Sequence, residues 1–296
     1  MVKMDLTILI ISYRSLKKLN KCLSTIGKKR SVLIVENSND TILKDNIEKE
    51  YQNSKVILNN SNLGYAKAAN IGFKNIHTKY VLLLNTDIII HDNQIKNLEI
   101  EIEKLGNNFA LASPMSNDLV DFIKNNRFDN YFSDQIPLFD LKKNTTQVEL
   151  IKGCSLVVNL NKFNNKDIFD NNYFFFFEEI DLCRRIKKNA ENIYVFNQII
   201  IEHKSAQGVD EKLNYRYSNF RNWNFFWGKF YYFKKHYGYF FSFLKHFSKI
   251  VRFGLNTLRF YFLSDIEYQK NKYRFLGLFN SIFNRRSSLS SKILED

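Results

Sequence analysis

Five short runs dominate the first 113 residues: LTILIIS at 6–12, SVLIVE at 31–36, KVILN at 55–59, YVLLLN at 80–85 and FALAS at 109–113. Each is almost continuously apolar and rich in branched side chains, as strands covered on both faces are. Between them, segments 15–25, 40–51, 65–75 and 93–104 have helix length. This alternation predicts an α/β fold, a mostly parallel sheet flanked by helices. Residues 116–147 are weakly patterned and rich in Asn and Asp, so they read as an irregular excursion. VELIKGCSLVV at 148–158 reads as one further strand, and NIYVFNQIIIEHKS as short strands ending at His203.

In open sheets of this kind ligands gather beyond the carboxyl ends of the strands. The residues there are polar: Ser12 and Tyr13 after the first run, Glu36, Asn37 and Ser38 after the second, 59–64 after the third, and Asn85, Thr86 and Asp87 after the fourth. Any one of them alone is ordinary turn chemistry. Four polar strand ends on one edge are harder to attribute to turns.

The pattern changes after residue 210. From Glu211 onward there are sixteen Lys and Arg against five Asp and Glu, so +11 of the net +14 lies there. Residues 221–263 are crowded with aromatics and contain no acid. Lys245, Lys249, Arg252, Asn256 and Arg259 recur at spacings that place them on one helical face. The chain therefore divides into an α/β domain over 1–210 and a basic, aromatic, amphipathic helical extension over 211–296. An interfacial helix on an anionic membrane surface fits this pattern best; a face packed on the first domain and a stacking platform for single-stranded nucleic acid are the rivals, and no nucleic-acid partner is expected. No run of about 18 apolar residues occurs, and the apolar start of the chain is strand-like rather than a secretion signal. Three cysteines without ligand spacing fit a reducing compartment. The expected location is cytoplasmic, peripheral on the inner face of a cell membrane.

Three places could carry chemistry. Asp87 interrupts the apolar run LLLNTDIII, where a carboxylate calls for a compensating cation; a divalent metal or a simple turn cap would each account for it. The stretch YFFFFEEIDLCRRIKK at 173–188 sets Glu178, Glu179 and Asp181 directly after five aromatics. Acids in the first turn and bases in the last would suit a helix dipole, but the aromatics would also desolvate one acid and raise its pKa toward that of a general base. His203 ends an apolar run; it is either a packed histidine or, beside Asp87, a metal ligand.

In their order, ISYRS, LIVENSND, NNSNLGYAKAANIG, LLLNTD, IKGCSLVV, FDNNYFFFFEEIDLCRRIKK and IEHKS resemble the bacterial family 2 glycosyltransferases, particularly the rhamnosyltransferase-like group that builds surface polysaccharides. The resemblance covers about residues 6–205. It implies a GT-A fold, Rossmann-like, and an inverting transfer from a nucleotide-diphosphate sugar to a lipid-linked oligosaccharide acceptor, with Mg²⁺ or Mn²⁺ as cofactor.

Residue by residue, the resemblance places Ser12, Tyr13 and Glu36 in the nucleotide pocket, and Asn62, Gly64 and Asn70 beside the donor. Asn85 and Thr86 precede Asp87 in the NTD version of a DxD motif, with Asp87 and His203 as metal ligands. Glu179 is the expected catalytic base, and Gly153 and Glu178 lie on the acceptor side. The metal and the base would then act on opposite faces of one sugar carbon, with the aromatics walling an apolar acceptor pocket and tuning Glu179, and Asp181 and the arginine pair holding the helix. Three positions depart from the family pattern: Asn85 replaces an acid, Glu179 replaces the usual Asp, and Asn159-Leu160-Asn161-Lys162 stands where an Arg is common. The runner-up readings are a nucleotidyltransferase, which would need a Gly-rich loop that ISYRSLKK lacks, and an inactive nucleotide-sugar-binding relative.

Overall fold

The computed structural model describes residues 5–117, 143–204 and 211–286, with side chains from 217 in the last segment. These residues form two compact units. The first comprises described residues up to 63, then 67–169 and 182–204; the second comprises 64–66, 170–181 and described residues from 211.

The first unit is built on one mixed, mostly parallel sheet. Its strands are β1 (Leu6–Ser12), β2 (Val32–Glu36), β3 (Ser54–Leu58), β4 (Tyr80–Asn85), β5 (Ile88–Ile89), β6 (Leu111–Ser116), β7 (Thr145–Val148), β8 (Ser155–Asn159) and β9 (Ile193–His203). Their order is β3-β2-β1-β4-β8-β6-β9-β5, with β7 also on β9. Strands β1 to β4 run parallel, as do β6 and β9; β8 is inserted antiparallel between β4 and β6. Helices α1 (Leu16–Ile26), α2 (Thr41–Glu50), α3 (Tyr65–Lys74) and α4 (Asp92–Leu105) connect the strands.

Local chemistry sets these elements. Strands β2 and β8 are buried along their whole length and β1 along all but its first residue, which is why they read as unbroken apolar runs. In α1 the buried residues are Leu19, Cys22, Leu23 and Ile26, one stripe at helical spacing. The Asp40 carboxylate caps α2 by accepting from the Leu43 N–H at 2.8 Å. Each fully buried Leu or Ile, such as Leu9, Ile10, Leu82 and Leu84, contributes about 1.5–3 kcal/mol relative to exposure.

Two expectations change here. The run at 148–158 is not one strand: Val148 ends β7, a turn follows at Gly153 and Cys154, and β8 begins at Ser155. Gly153 supplies no branched side chain to pack in the middle of a ladder, and the chain bends there. Most of the expected excursion at 116–147 lies outside the described residues, apart from the end of β6 and the Thr145–Val148 strand.

The second unit is mostly helical and includes the acid-bearing turn. Helix α5 (Glu178–Lys188) has its first turn here and continues into the first unit. Helices α6 (Glu211–Tyr237), α7 (Tyr239–Phe260) and α8 (Asp265–Ile282) follow. Within the aromatic stretch 221–263 the chain turns at Gly238, whose φ of +92° no helix tolerates. Phe230, Phe253, Leu278 and Ile282 form the core of the unit, with Phe226, Phe243, Ile250 and Phe275 against it. The basic stripe expected on α7 is only partly a solvent face. Lys249 and Asn256 are half-buried, and the Asn256 amide reaches Asn271 of α8 at 3.4 Å.

His246 lies wholly inside this unit, its ring 5.6 Å from those of Phe230 and Phe233. Its Nδ1 donates to the Ser242 carbonyl at 2.8 Å. Burial, aided by Lys249, Lys229 and Lys245, pushes its pKa down to about 4 from 6.5. A depressed imidazole pKa means that the unfolded chain binds the proton more readily, so this contribution is complete above pH 6.5 and is lost as pH falls toward 4. Thermal unfolding of the full chain across that window should show the loss, roughly 3 kcal/mol at most. In His246→Gln the dependence should flatten; an unchanged slope would remove His246 as its source.

Candidate active site

Register brings the first group of site residues together. Parallel pairing sets Ser12 opposite Glu36 and Ile11 opposite Asn85, so the carboxyl ends of β1, β2 and β4 present their polar residues side by side. Ser12 is fully buried; its hydroxyl lies 3.1 Å from that of Ser15 and its carbonyl accepts the Asn37 N–H at 2.8 Å. Tyr13 is half-buried, with its hydroxyl out of solvent and hydrogen-bonded to nothing among the described residues. The Arg14 guanidinium lies 5.6 Å from the Tyr13 ring centre, with Arg14 held at φ +46°.

Glu36 is a carboxylate with no exposed surface. One oxygen accepts from the Ser38 N–H at 2.9 Å and from the Ser38 hydroxyl; the other has no hydrogen-bond partner among the described residues. Asn59 braces the turn, its N–H donating to the Glu36 carbonyl at 2.9 Å and its amide to Asn37 Oδ1 at 2.7 Å. A buried oxygen left open in this way is costly in the absence of a donor. It is placed to accept an N–H from a ligand.

Asp87 and His203 meet because β5 pairs antiparallel with β9, with Ile88 opposite His203. The Lys204 N–H donates to the Asp87 carbonyl at 3.0 Å, closing the pair. His203 Nε2 lies 3.5 Å from Asp87 Oδ1, and that oxygen is buried without a hydrogen bond among the described residues. The nearby Cys22 thiol is pushed up to about 12, by burial first and the charge of Asp87 second. A carboxylate and an imidazole converging on one point fit a borderline divalent cation. No group of three or more His, Cys, Asp or Glu side chains suited to a metal occurs among the described residues, so a cation here would take its remaining ligands from water or phosphate.

Other expected site residues have structural partners. Asn70 is buried, its amide donating to the Phe169 carbonyl at 2.8 Å and its Oδ1 accepting the Phe169 N–H at 3.0 Å. That clasp joins α3 to a segment 99 residues away. Asn62 is half-buried in the loop after β3, Thr86 is half-buried beside Asp87, and Gly153 is half-buried in the turn before β8. Gly64, at φ +84°, lets the chain touch Phe174: a Cβ there would meet the Phe174 carbonyl oxygen at 2.6 Å. The Tyr65 N–H uses the contact, donating to that carbonyl at 2.7 Å.

The acids after the aromatic run occupy three different settings. Phe176 and Phe177 hold left-handed φ angles of 71° and 74°, which costs about 1–3 kcal/mol each for such side chains. This turn delivers Glu178 to the start of α5. Glu178 is buried, and its carboxyl is raised well above the ordinary range by burial and then by Glu179. Glu179 is half-buried. Burial thus raises the carboxyl of Glu178, whereas the expected tuned acid was Glu179. The rings also pack on α6: Tyr173 on Trp227 and Tyr231, Phe174 on Phe220, and Phe177 on Phe225 and Tyr232.

Asp181 has no exposed surface and accepts from Lys235 at 2.7 Å and His236 at 2.8 Å. Lys235 also reaches Asp170 at 2.7 Å, and Asp170 accepts from the Tyr231 hydroxyl at 3.0 Å. Asp170, Tyr231, Lys235 and His236 carried no signal in sequence, because the last three sit in a basic, aromatic run that gives no reason to single them out.

A protein-family model described as "Glycosyl transferase family 2" matches residues 7–171, more than half of the chain. A curated relative, the low-salt glycan biosynthesis hexosyltransferase Agl10 of Haloferax volcanii, is 22% identical over 232 residues, 74% of each chain. Among solved structures, the mannosyltransferase PcManGT of Pyrobaculum calidifontis, in complex with GDP-Man and Mn²⁺, aligns with a TM-score of 0.56 at 9% identity, covering 96% of this chain and 89% of that one. GalNAc-T7 with UDP, GalNAc and Mn²⁺ also aligns with a TM-score of 0.56, at 10% identity, over 94% of this chain and 56% of its own. Their shared architecture is the GT-A fold.

Asp181→Asn leaves Lys235 and His236 facing a neutral amide. Unfolding by denaturant should show a loss of about 3–5 kcal/mol, whereas Glu179→Gln should stay within about 1 kcal/mol of the parent chain. Equal stability of the two variants would refute the strut role of Asp181.

Proposed function

We propose that this chain, which belongs to glycosyl transferase family 2, moves a hexosyl group from a nucleotide-diphosphate donor to a hydroxyl of a lipid-linked glycan, with inversion at the anomeric carbon. The observation that carries the reading is the convergence of Ser12, Glu36, Asn85, Asp87 and His203 at the carboxyl ends of β1, β2, β4 and β9. The hexosyltransferase relative and the Mn²⁺-bound, nucleotide-bound neighbours support it. A surface-polysaccharide role in a bacterium, with a rhamnosyl donor, is the specific form we favour.

Each residue has a task in this reading. Glu36 accepts an N–H of the nucleotide base through its open oxygen, with Ser12 and Tyr13 lining the same pocket. Asn85, Thr86 and Asp87 face the diphosphate, and Asp87 with His203 would hold Mg²⁺ or Mn²⁺. Bound there, such a cation would supply positive charge to offset the negative charge developing on the departing nucleoside diphosphate. Glu179 takes the proton of the attacking hydroxyl. The neighbouring Glu178 has its carboxyl raised by burial and by Glu179.

The acceptor's lipid anchor is matched by α7. Phe240, Leu244, Phe247, Val251, Leu255, Leu258 and Phe262 are all exposed and recur every three or four residues; Phe240, Leu258 and Phe262 are 73%, 73% and 88% exposed. With Lys245, Arg252 and Arg259 exposed along the same helix, this is the composition of a helix lying in an anionic membrane surface. No described helix is long and apolar enough to cross a membrane. We place the enzyme on the cytoplasmic face of the cell membrane.

Two measurements test these readings. Thermal shift with a panel of nucleotide sugars, with and without Mn²⁺, should single out one donor, and Asp87→Asn should remove the metal-dependent part of its shift. Glu179→Gln should bind that donor normally while losing transfer by at least ~100-fold; full activity in Glu179→Gln would eliminate it as the base. Sedimentation with phosphatidylglycerol vesicles should fall when Leu244, Phe247 and Leu255 are changed together to Ser, and unchanged sedimentation would sink the membrane assignment.

A further inference from the structure

Helices α7 and α8 form an antiparallel hairpin. The Asn256 amide reaches Asn271 at 3.4 Å, a Cβ on Gly254 would touch the Phe275 ring at 3.5 Å, and Phe253 and Leu278 share one core, so position rises along one arm as it falls along the other. The hairpin turns between Phe260, the last residue of α7, and Asp265, the first of α8. Turns that face water are built mainly from Gly, Pro, Asn, Asp and Ser. This one reads Tyr261-Phe262-Leu263-Ser264. Phe262 is the most exposed large apolar side chain among the described residues, and Leu258, Tyr261, Leu263 and Ile266 around it are exposed as well.

Two further features suit this turn to a medium without water. Its backbone bonds largely to itself: the Leu263 and Ser264 N–H groups both donate to the Phe260 carbonyl at 3.1 Å, and the Tyr268 N–H donates to the Ser264 carbonyl at 2.9 Å. The Ser264 hydroxyl accepts from the Glu267 N–H at 3.4 Å. Backbone near hydrocarbon requires such pairing, because no water is there to serve open groups. The second feature is charge. Arg252 and Arg259 of α7 are exposed, and the stretch 221–263 contains no acid. A second copy of the chain would set its own cations against these, whereas an anionic bilayer offers them opposite charge. Asp265, exposed just past the turn, limits the depth, since a carboxylate stays at the level of the headgroups.

We propose that the α7–α8 turn is the part of this protein that enters the bilayer, with the Phe262 and Leu263 side chains reaching the acyl chains and Arg259 and Asp265 held among the headgroups. This insertion rests on the membrane reading of α7 above and gives it a direction: the helix runs down toward the turn instead of lying level.

The test uses the full chain and vesicles of phosphatidylcholine with phosphatidylglycerol. Cys22, Cys154 and Cys183 are all buried, so an added cysteine takes an environment-sensitive fluorophore selectively. Labelled Phe262→Cys should be quenched more strongly than labelled Leu244→Cys by nitroxides placed near the ends of the acyl chains. Changing Phe262 and Leu263 together to Ser should weaken vesicle binding about tenfold, and changing Phe240 and Leu244 together to Ser should weaken it less. All four positions are exposed, so both variants should unfold at the temperature of the parent. Equal depth at 262 and 244, or a probe at 262 that stays in water while the one at 244 is quenched, overturns the insertion and leaves α7 on the surface. Quenching at neither position overturns the insertion and the membrane reading together. Emission from position 262 that shifts with protein concentration in the absence of vesicles assigns the tip to a second copy and likewise overturns the insertion.

Discussion

The second unit depends on one buried carboxylate. Asp181 lies in the first turn of α5 with no exposed surface, and Lys235 and His236 reach it from the end of α6. A charge so placed is tolerated only while its partners stay in position. Asp170 repeats the device on the other side of Lys235, so the segment 170–181 is fastened to α6 at both ends. Between the fastenings, four consecutive phenylalanines turn through two left-handed residues. That conformation is affordable because ring packing against Phe220, Phe225 and Tyr232 holds it from one side and the ion pairs hold it from the ends.

The sheet edge works by a different constraint. There, no single interaction gathers the polar groups; strand register does. Because β1 lies between β2 and β4 in parallel register, the last residues of the three strands are neighbours without any contact having to select them. The short β5 pairing with β9 then adds Asp87 and His203. Among the described residues, the Tyr13 hydroxyl, one oxygen of Glu36 and one of Asp87 are left buried at this edge without a hydrogen bond. Buried polar atoms left open in this way are costly.

Most of the first unit was legible in the chain. Strands covered on both faces are the easiest elements to read, and the residues at their carboxyl ends follow from the fold rule alone. The sites that were misread are those set by long-range partners. Nothing in YFFFFEEID says which acids end up buried, since that depends on where α6 passes; Glu178 and Asp181 are buried and Glu179 is half-buried. Asn70 read as a donor contact from its motif, yet its amide is bound to Phe169, a partner 99 residues distant that no local pattern announces. In the second unit, composition signalled an amphipathic helix correctly in kind, but Gly238 divided it and the fold drew Lys235 and His236 inward to meet acids from much earlier in the chain.

Gly238 stands immediately beyond the turn of α6 that carries Lys235 and His236, and on its far side begins the helix with the outward-facing Phe and Leu ladder. The two cations that close α6 hold Asp181, and Asp181 shares its helical turn with Glu178 and Glu179. One set of ion pairs is thus all that lies along the chain of contacts between the base of that outward-facing ladder and the acid turn.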